Sequence, residues 1–209
     1  MSNNSQVQRT KKWLFEALMA LMQEVPFKKI SVQDIVKRAD LSRTAFYSHY
    51  SSKEDILCEK VQEYQDEAVD FCLTFEDRSQ FKNWRRTIEM YCTHGDFYTL
   101  LHKNGLDTLV YQAEMDNYER TAYLVSQTFR GKAPEDRTLY YGTYMPYHRP
   151  SQLGLILKWI SNSGTTTIDE IAALVSSLSC IHVYNSFRED YYANLGKLEL
   201  RKAETSGTE

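Results

Sequence analysis

Glycine and proline are scarce in this sequence, 8 and 4 among 209 residues. An all-β chain would need many more turn residues, so the shortage points to long uninterrupted helices and an all-α fold. Apolar runs extend only a few residues, which excludes a membrane-spanning helix, and the polar stretch Met1 to Lys12 lacks the apolar core of a secretory signal. A cytoplasmic protein with no membrane partner is expected. The four cysteines, Cys58, Cys72, Cys92 and Cys180, are far apart and form no C-x-x-C pair, unlike a disulfide framework or a structural zinc knot. Reduced, mostly buried thiols are the expectation. No histidine has Glu three residues before it, as helical di-iron bundles require, and there is no P-loop, G-x-G-x-x-G or G-x-S-x-G. Neither an enzyme nor a cofactor is implied.

What is present begins with a charge asymmetry. The net charge of -3 conceals a basic head, residues 1 to 53, with nine Lys and Arg against four Asp and Glu, on an acidic remainder with 16 against 24. Such polarity suits a molecule whose head alone approaches a polyanion. Within the head, Leu14, Leu18, Leu21, Met22 and Val25 recur at helical spacing and predict a first helix over Val7 to Glu24, broken by Pro26. Ser31, with Asp34 three residues on, predicts a capped second helix whose stripe is Val32, Ile35, Val36 and Ala39. Asp40 lies where the chain must turn sharply, and aspartate tolerates left-handed backbone angles. Ser42 then caps a third helix, Arg43 to His49, with Leu41, Ala45, Phe46 and Tyr50 facing inward. The run Ser51-Ser52-Lys53-Glu54-Asp55 offers two overlapping capping boxes before a long fourth helix.

Two short helices across a three-residue turn describe a helix-turn-helix, the second helix of which enters the major groove. Arg43 and Thr44 can reach base edges, Tyr47 offers a hydroxyl and an apolar ring, and Ser48 permits close approach. Gln33, His49 and Lys53 are placed to hold the phosphate backbone, with Ser42 at the helix start.

The stretch FKKISVQDIVKRADLSRTAFYSHYSSKEDIL, Phe27 to Leu57, resembles the DNA-binding segment of the tetracycline-repressor-like (TetR) family. The likeness combines an apolar residue plus Ser opening the second helix, the A-x-L-S turn, F-Y-x-H-Y closing the third helix and S-K-E-x-I starting the fourth. Asp40 departs from it, standing where that family usually has Gly. The resemblance implies a dimer of nine or more helices whose last two helices form a four-helix bundle with the partner's. It also places Gln33, Arg43, Thr44, Tyr47, His49 and Lys53 where family members touch DNA.

The body is expected to hold helices near Ser79 to Thr93, Asp96 to Lys103, Asp107 to Phe129, Pro150 to Asn162 and Thr167 to Tyr192. Domain limits of 1–53 and 54–200 follow, with residues 201–209 a disordered tail. The stretch Leu153 to Gly164, with Trp159, Ile160, Asn162 and Gly164, resembles the C-terminal region of TetR-like regulators of Gram-positive bacteria. Ile156, Ile160, Ile171, Leu174, Val175 and Leu178 recur at core-like spacing and serve either a dimer interface or the monomer core. Tyrosines are abundant, 15 in all. Tyr91, Tyr98, Tyr111, Met115, Tyr118 and Tyr144, with Phe97, Tyr141 and Tyr147 nearby, suit an amphipathic or aromatic ligand or an ordinary helical core. Cys92, His94 and His102 lie close in sequence, but Cys92 and His94, two apart on a helix, face different ways, so no metal site is expected.

The expected function is a transcription regulator, a repressor that grips a palindromic double-stranded operator as a homodimer and is released by a small-molecule effector of unknown identity. An activator of the same fold, or a helical adaptor without DNA binding, are the alternatives.

Overall fold

The computed structural model describes residues 3–73, 80–116, 145–162 and 166–183. Nine α-helices and one 3-10 turn, with no strand, make up these described residues. Helix α1 (Asn3–Glu24) is followed by the 3-10 turn Phe27–Lys29, α2 (Val32–Arg38), α3 (Arg43–Tyr47) and α4 (Lys53–Leu73). The body adds α5 (Gln80–Thr93), α6 (Gly95–Lys103), α7 (Asp107–Asp116), α8 (Met145–Ser161) and α9 (Ile168–Val183).

On α1 the inward stripe is Leu14, Ala17, Leu18, Leu21 and Met22, all buried. The helix starts four residues before Val7, in a polar turn that carries no apolar pattern to announce it. This stripe meets α2, α4 and α6. Helix α4 buries Ile56, Leu57, Val61, Ala68 and Val69 and packs on α5 and α7, while α8 lies against α6 and α7, and α9 against α5. Apart from Val69, these residues join Phe97, Leu101, Val110, Ile156 and Ala172 in one contiguous core that runs from the head into the body.

Two expectations about the helices change. Helix α8 begins at Met145, so Pro150 lies inside it rather than at its start. Pro150 is the sixth residue of that helix, so it lacks an N–H that would bond four residues back, and the helix gives up one internal hydrogen bond there. Helix α3 ends at Tyr47, not His49, because Ser48 caps it and the His49 N–H turns to the Phe46 carbonyl at 2.9 Å in a tighter 3-10 pattern. At the far end of the body, Thr167 and Glu170 exchange capping-box hydrogen bonds that start α9, and the Trp159 indole donates to the Thr166 carbonyl at 3.0 Å. Phe129, Gly131, Gly164 and Tyr192, with the tail 201–209, lie outside the described residues.

Cys58 and Cys92 are free thiols, but they are exposed rather than buried. Their neighbours Leu57 and Tyr91 occupy the inward positions of those turns.

Candidate nucleic-acid interface

The outward face of α3 is held by short-range hydrogen bonds. The Ser31 hydroxyl accepts from the Asp34 N–H at 3.2 Å, and the Asp34 carboxylate accepts from the Ser31 N–H at 2.9 Å, closing a capping box on α2. The Ser31 hydroxyl also donates to the Asp34 carboxylate at 2.6 Å, and this bond first, then that of the Ser31 N–H, holds the Asp34 carboxyl below its ordinary range. Helix α2 ends in a Schellman motif: the Leu41 N–H reaches the Val36 carbonyl at 2.9 Å and the Asp40 N–H points to Lys37 at 3.4 Å. That motif demands a left-handed residue, and Asp40 supplies it at φ 54°. The chain reverses there, and the Ser42 hydroxyl accepts from the Ala45 N–H at 3.0 Å to cap α3.

Phe46 is completely buried and anchors α3 from beneath. Its ring meets the Tyr47 ring edge-on at 5.2 Å, which props Tyr47 outward with 51% of its surface exposed. One turn earlier, the Arg43 guanidinium lies 5.8 Å from the centre of the Tyr47 ring. Ser42, Arg43, Thr44, Tyr47 and Ser48 are all exposed, as is Gln33 on α2, so six of the expected DNA-facing residues lie at the surface of one small unit. Ser42 and Ser48 also bond the backbone of their own helix, Ser48 donating to the Ala45 carbonyl at 2.8 Å. His49 is half-buried behind them.

Lys53 has a role that its sequence position does not reveal. Its ammonium donates to the carbonyls of Phe27 and Ile30, each at 2.7 Å, and lies 4.2 Å from the centre of the Phe27 ring. The first residue of α4 thus fastens the 3-10 turn between α1 and α2. Asn104, at the end of α6, also reaches the head and accepts a hydrogen bond from the Phe27 N–H at 2.8 Å. No motif in the sequence marks Asn104, because its partner is 77 residues away. Beside these contacts, Asp55 completes the capping box of α4 with Ser52, and Tyr50 donates to Glu59, which also pairs with Lys11 at 2.7 Å.

The body treats its expected site residues differently. Tyr91 and Tyr98 do not line an open pocket: they are 1% and 0% exposed, inside the core formed by α4 to α7. The Tyr91 hydroxyl donates to Glu114 at 3.0 Å and accepts from Gln65 at 2.8 Å, all three residues being buried. The Tyr98 hydroxyl is buried and has no hydrogen-bond partner among the described residues. Its burial, with the Glu114 charge nearby, pushes its pKa up. Tyr111 and Met115 are half-buried on α7, and Tyr118, Tyr141 and Tyr144 lie outside the described residues.

Of the six apolar residues expected at a dimer interface, Ile156, Ile171 and Val175 are 0%, 4% and 0% exposed within one chain. Their surface lies in the chain's own core. Leu174 is 47% exposed, and Ile160 and Leu178 are half-buried. Cys92, His94 and His102 take separate surroundings. His94 sits in the junction between α5 and α6, not on a helix, where its ring stacks 3.5 Å from that of Tyr64 and its Nε2 lies 3.0 Å from Glu67. The His102 Nδ1 lies 3.1 Å from the Asp107 carboxylate. Among the described residues no three potential ligands gather, and no helix is long and apolar enough to cross a membrane.

Residues 14–59 match the family model of the bacterial regulatory proteins of the tetR family. The match spans the second half of α1 to the first turns of α4, the same unit that presents Arg43, Thr44 and Tyr47. A solved structure described as the dihydroxyacetone kinase operon activator DhaS is similar at 16% identity and a TM-score of 0.49, over 84% of this chain and 95% of that one. No curated protein matches the chain.

Proposed function

We propose that this chain, a transcriptional regulator whose N-terminal unit is the DNA-binding domain of the tetR family, is a repressor that binds a palindromic operator as a homodimer. One observation carries the reading: α3 is capped by Ser42, anchored by buried Phe46, and turns Arg43, Thr44 and Tyr47 outward as a set. A short rigid helix with exposed donors at its start fits the major groove, where an Arg fork reads guanine and a Tyr hydroxyl meets phosphate. Gln33, His49 and Ser48 flank that helix and fix its register on the backbone, with the start of α4 behind them.

Two heads acting together need two copies. Leu174, Ile160 and Leu178 leave apolar surface on α8 and α9 that a symmetric partner would cover. A compact dimer over a promoter blocks polymerase without a further contact surface, which favours repression over activation. A small-molecule effector acts in the body, next to Tyr111 and Met115 on α7, and shifts the spacing of the heads. The reading is of a cytoplasmic DNA-binding protein rather than an enzyme.

The test is a gel-shift titration on the promoter beside the chain's own gene, in parallel with random duplex. Tyr47→Ala should weaken binding to both. Arg43→Ala should also relax base preference at one position, by about 1–3 kcal/mol. Equal losses on specific and random DNA for the two variants would contradict the base-reading role of Arg43.

A further inference from the structure

Helix α4 is the covalent link between head and body, but the body holds the head a second time. The N–H of Phe27 opens the 3-10 turn, so it has no acceptor within that turn, and Phe27 is buried. Its acceptor is the Asn104 Oδ1, 2.8 Å away, delivered from the far end of α6. The same amide donates from Nδ2 to the Leu100 carbonyl at 2.8 Å, so both of its polar atoms are used and its orientation is fixed.

The backbone beneath Asn104 is fixed as well. Helix α6 closes in a Schellman motif, with the Leu106 N–H on the Leu101 carbonyl at 2.9 Å and the Gly105 N–H on His102 at 3.0 Å. Gly105 adopts φ 67°, and a Cβ there would meet nothing within 4 Å, so the backbone angle and not lack of space calls for glycine. On the other side of the turn, Lys53 grips the carbonyls of Phe27 and Ile30. The peptide groups of Phe27 are therefore clamped between the end of α6 and the start of α4. The chain continues from there directly into Ser31, the cap of α2.

We propose that Asn104 is a positioning residue for DNA binding, the contact through which the place of α6 in the body sets the pose of the 3-10 turn and of the two helices that follow it. The inference rests on the DNA-binding reading above for its consequence, but not for the contact itself. If α6 moves by about an ångström, the hydrogen bond breaks, because such bonds weaken steeply beyond their normal length. A buried N–H then loses its partner, and the engaged pose loses its advantage. A head that has lost this contact is less ordered in the free protein and must be fixed in its pose each time it docks, and that entropy weakens binding.

The experiment uses the full chain with Asn104→Ala and Asn104→Asp, the second keeping an acceptor at the same reach. Amide hydrogen exchange at Phe27 should speed up roughly tenfold or more in N104A and stay within about threefold of wild type in N104D. Binding to duplex from the promoter beside its own gene should fall roughly tenfold in N104A, with the salt dependence unchanged because no phosphate contact is removed. A merely structural residue would lower the unfolding midpoint without changing the affinity of the folded fraction. Unaltered Phe27 exchange in N104A overturns the proposal, as does faster exchange with wild-type affinity. If N104A does not fold, N104D decides by exchange: loss of Phe27 protection there overturns the proposal. Failure of the wild type to bind any duplex sinks the DNA reading, and with it the positioning role, while the exchange arm still reports on the contact.

Discussion

Replacing Lys53 by methionine separates two roles that one residue can hold. Methionine keeps the length and the apolar stem and removes the charge. The wild-type ammonium makes two charge-assisted hydrogen bonds at 2.7 Å and lies 4.2 Å from the centre of the Phe27 ring. Each such bond contributes roughly 1.5–3 kcal/mol net and the ring contact about 0.5–1 kcal/mol. Lys53 is only half-buried, so water recovers part of this when the pin is withdrawn, and the Phe27 carbonyl keeps the Ile30 N–H at 3.1 Å. The expected loss is on the order of 2–4 kcal/mol, a large share of a typical domain's total stability. Urea unfolding followed by circular dichroism measures it as a lower midpoint with an unchanged slope. A change below about 0.5 kcal/mol, the range of an ordinary surface substitution, would refute the pin. The DNA arm is independent. If the remaining N–H of Lys53 meets a phosphate, the dependence of log K on log salt should flatten by about 0.9 in K53M. A lower stability with an unchanged slope would make Lys53 a purely internal fastener.

Asp40→Gly should stabilise the chain, because a left-handed L-residue costs roughly 1–2 kcal/mol and the unfolded-state entropy of glycine returns only part of it. A rise in Tm of about 1–4 °C is expected by calorimetry, and none would show that the Asp40 side chain contributes in its own right. Tyr91→Phe and Tyr98→Phe should move in opposite directions. The first withdraws a hydroxyl used by both Gln65 and Glu114 and should cost about 1–3 kcal/mol, whereas the second removes a buried hydroxyl that has no partner among the described residues and should be neutral or stabilising. Equal losses in chemical denaturation would mean that the Tyr98 hydroxyl has a partner. For acid stability, the Ser52 hydroxyl, with the N–H groups of Ser51 and Ser52, holds the Asp55 carboxyl below its ordinary value. Its stabilisation is therefore complete above the unfolded pKa of about 4 and is lost as pH falls through the lower folded value. Unfolding curves of wild type and Asp55→Asn should differ by a constant amount near neutrality and converge in strong acid. A difference that persists there would assign the effect to something other than titration.

Local order alone determined much of the head. The Ser31–Asp34 box, the Ser42 cap and the left-handed turn at Asp40 all involve partners within five residues, so sequence spacing specifies them. The outward set Arg43, Thr44 and Tyr47 follows from the same periodicity, since what faces away from Phe46 on a short helix must face solvent. The apolar stripe of α1 was legible for that reason, whereas the polar first turn of α1 and the early start of α8 carry no pattern and were not.

Tertiary packing decided the rest. Periodicity shows that Ile156, Ile171 and Val175 share an apolar face, but not whether that face meets the chain's own α5 to α7 or a second copy; packing buries them within one chain. It shows that tyrosines crowd the body, but not that Tyr91 would close on Gln65 and Glu114 from three different helices. Lys53 read as a cation beside DNA, and only the folded chain reveals the two carbonyls and the ring that hold it. Asn104 had no signal at all. Hydrogen bonds within one turn are fixed by chain order and backbone geometry, while partners brought together across 20 or 70 residues depend on how whole helices cross, and chain order does not state that.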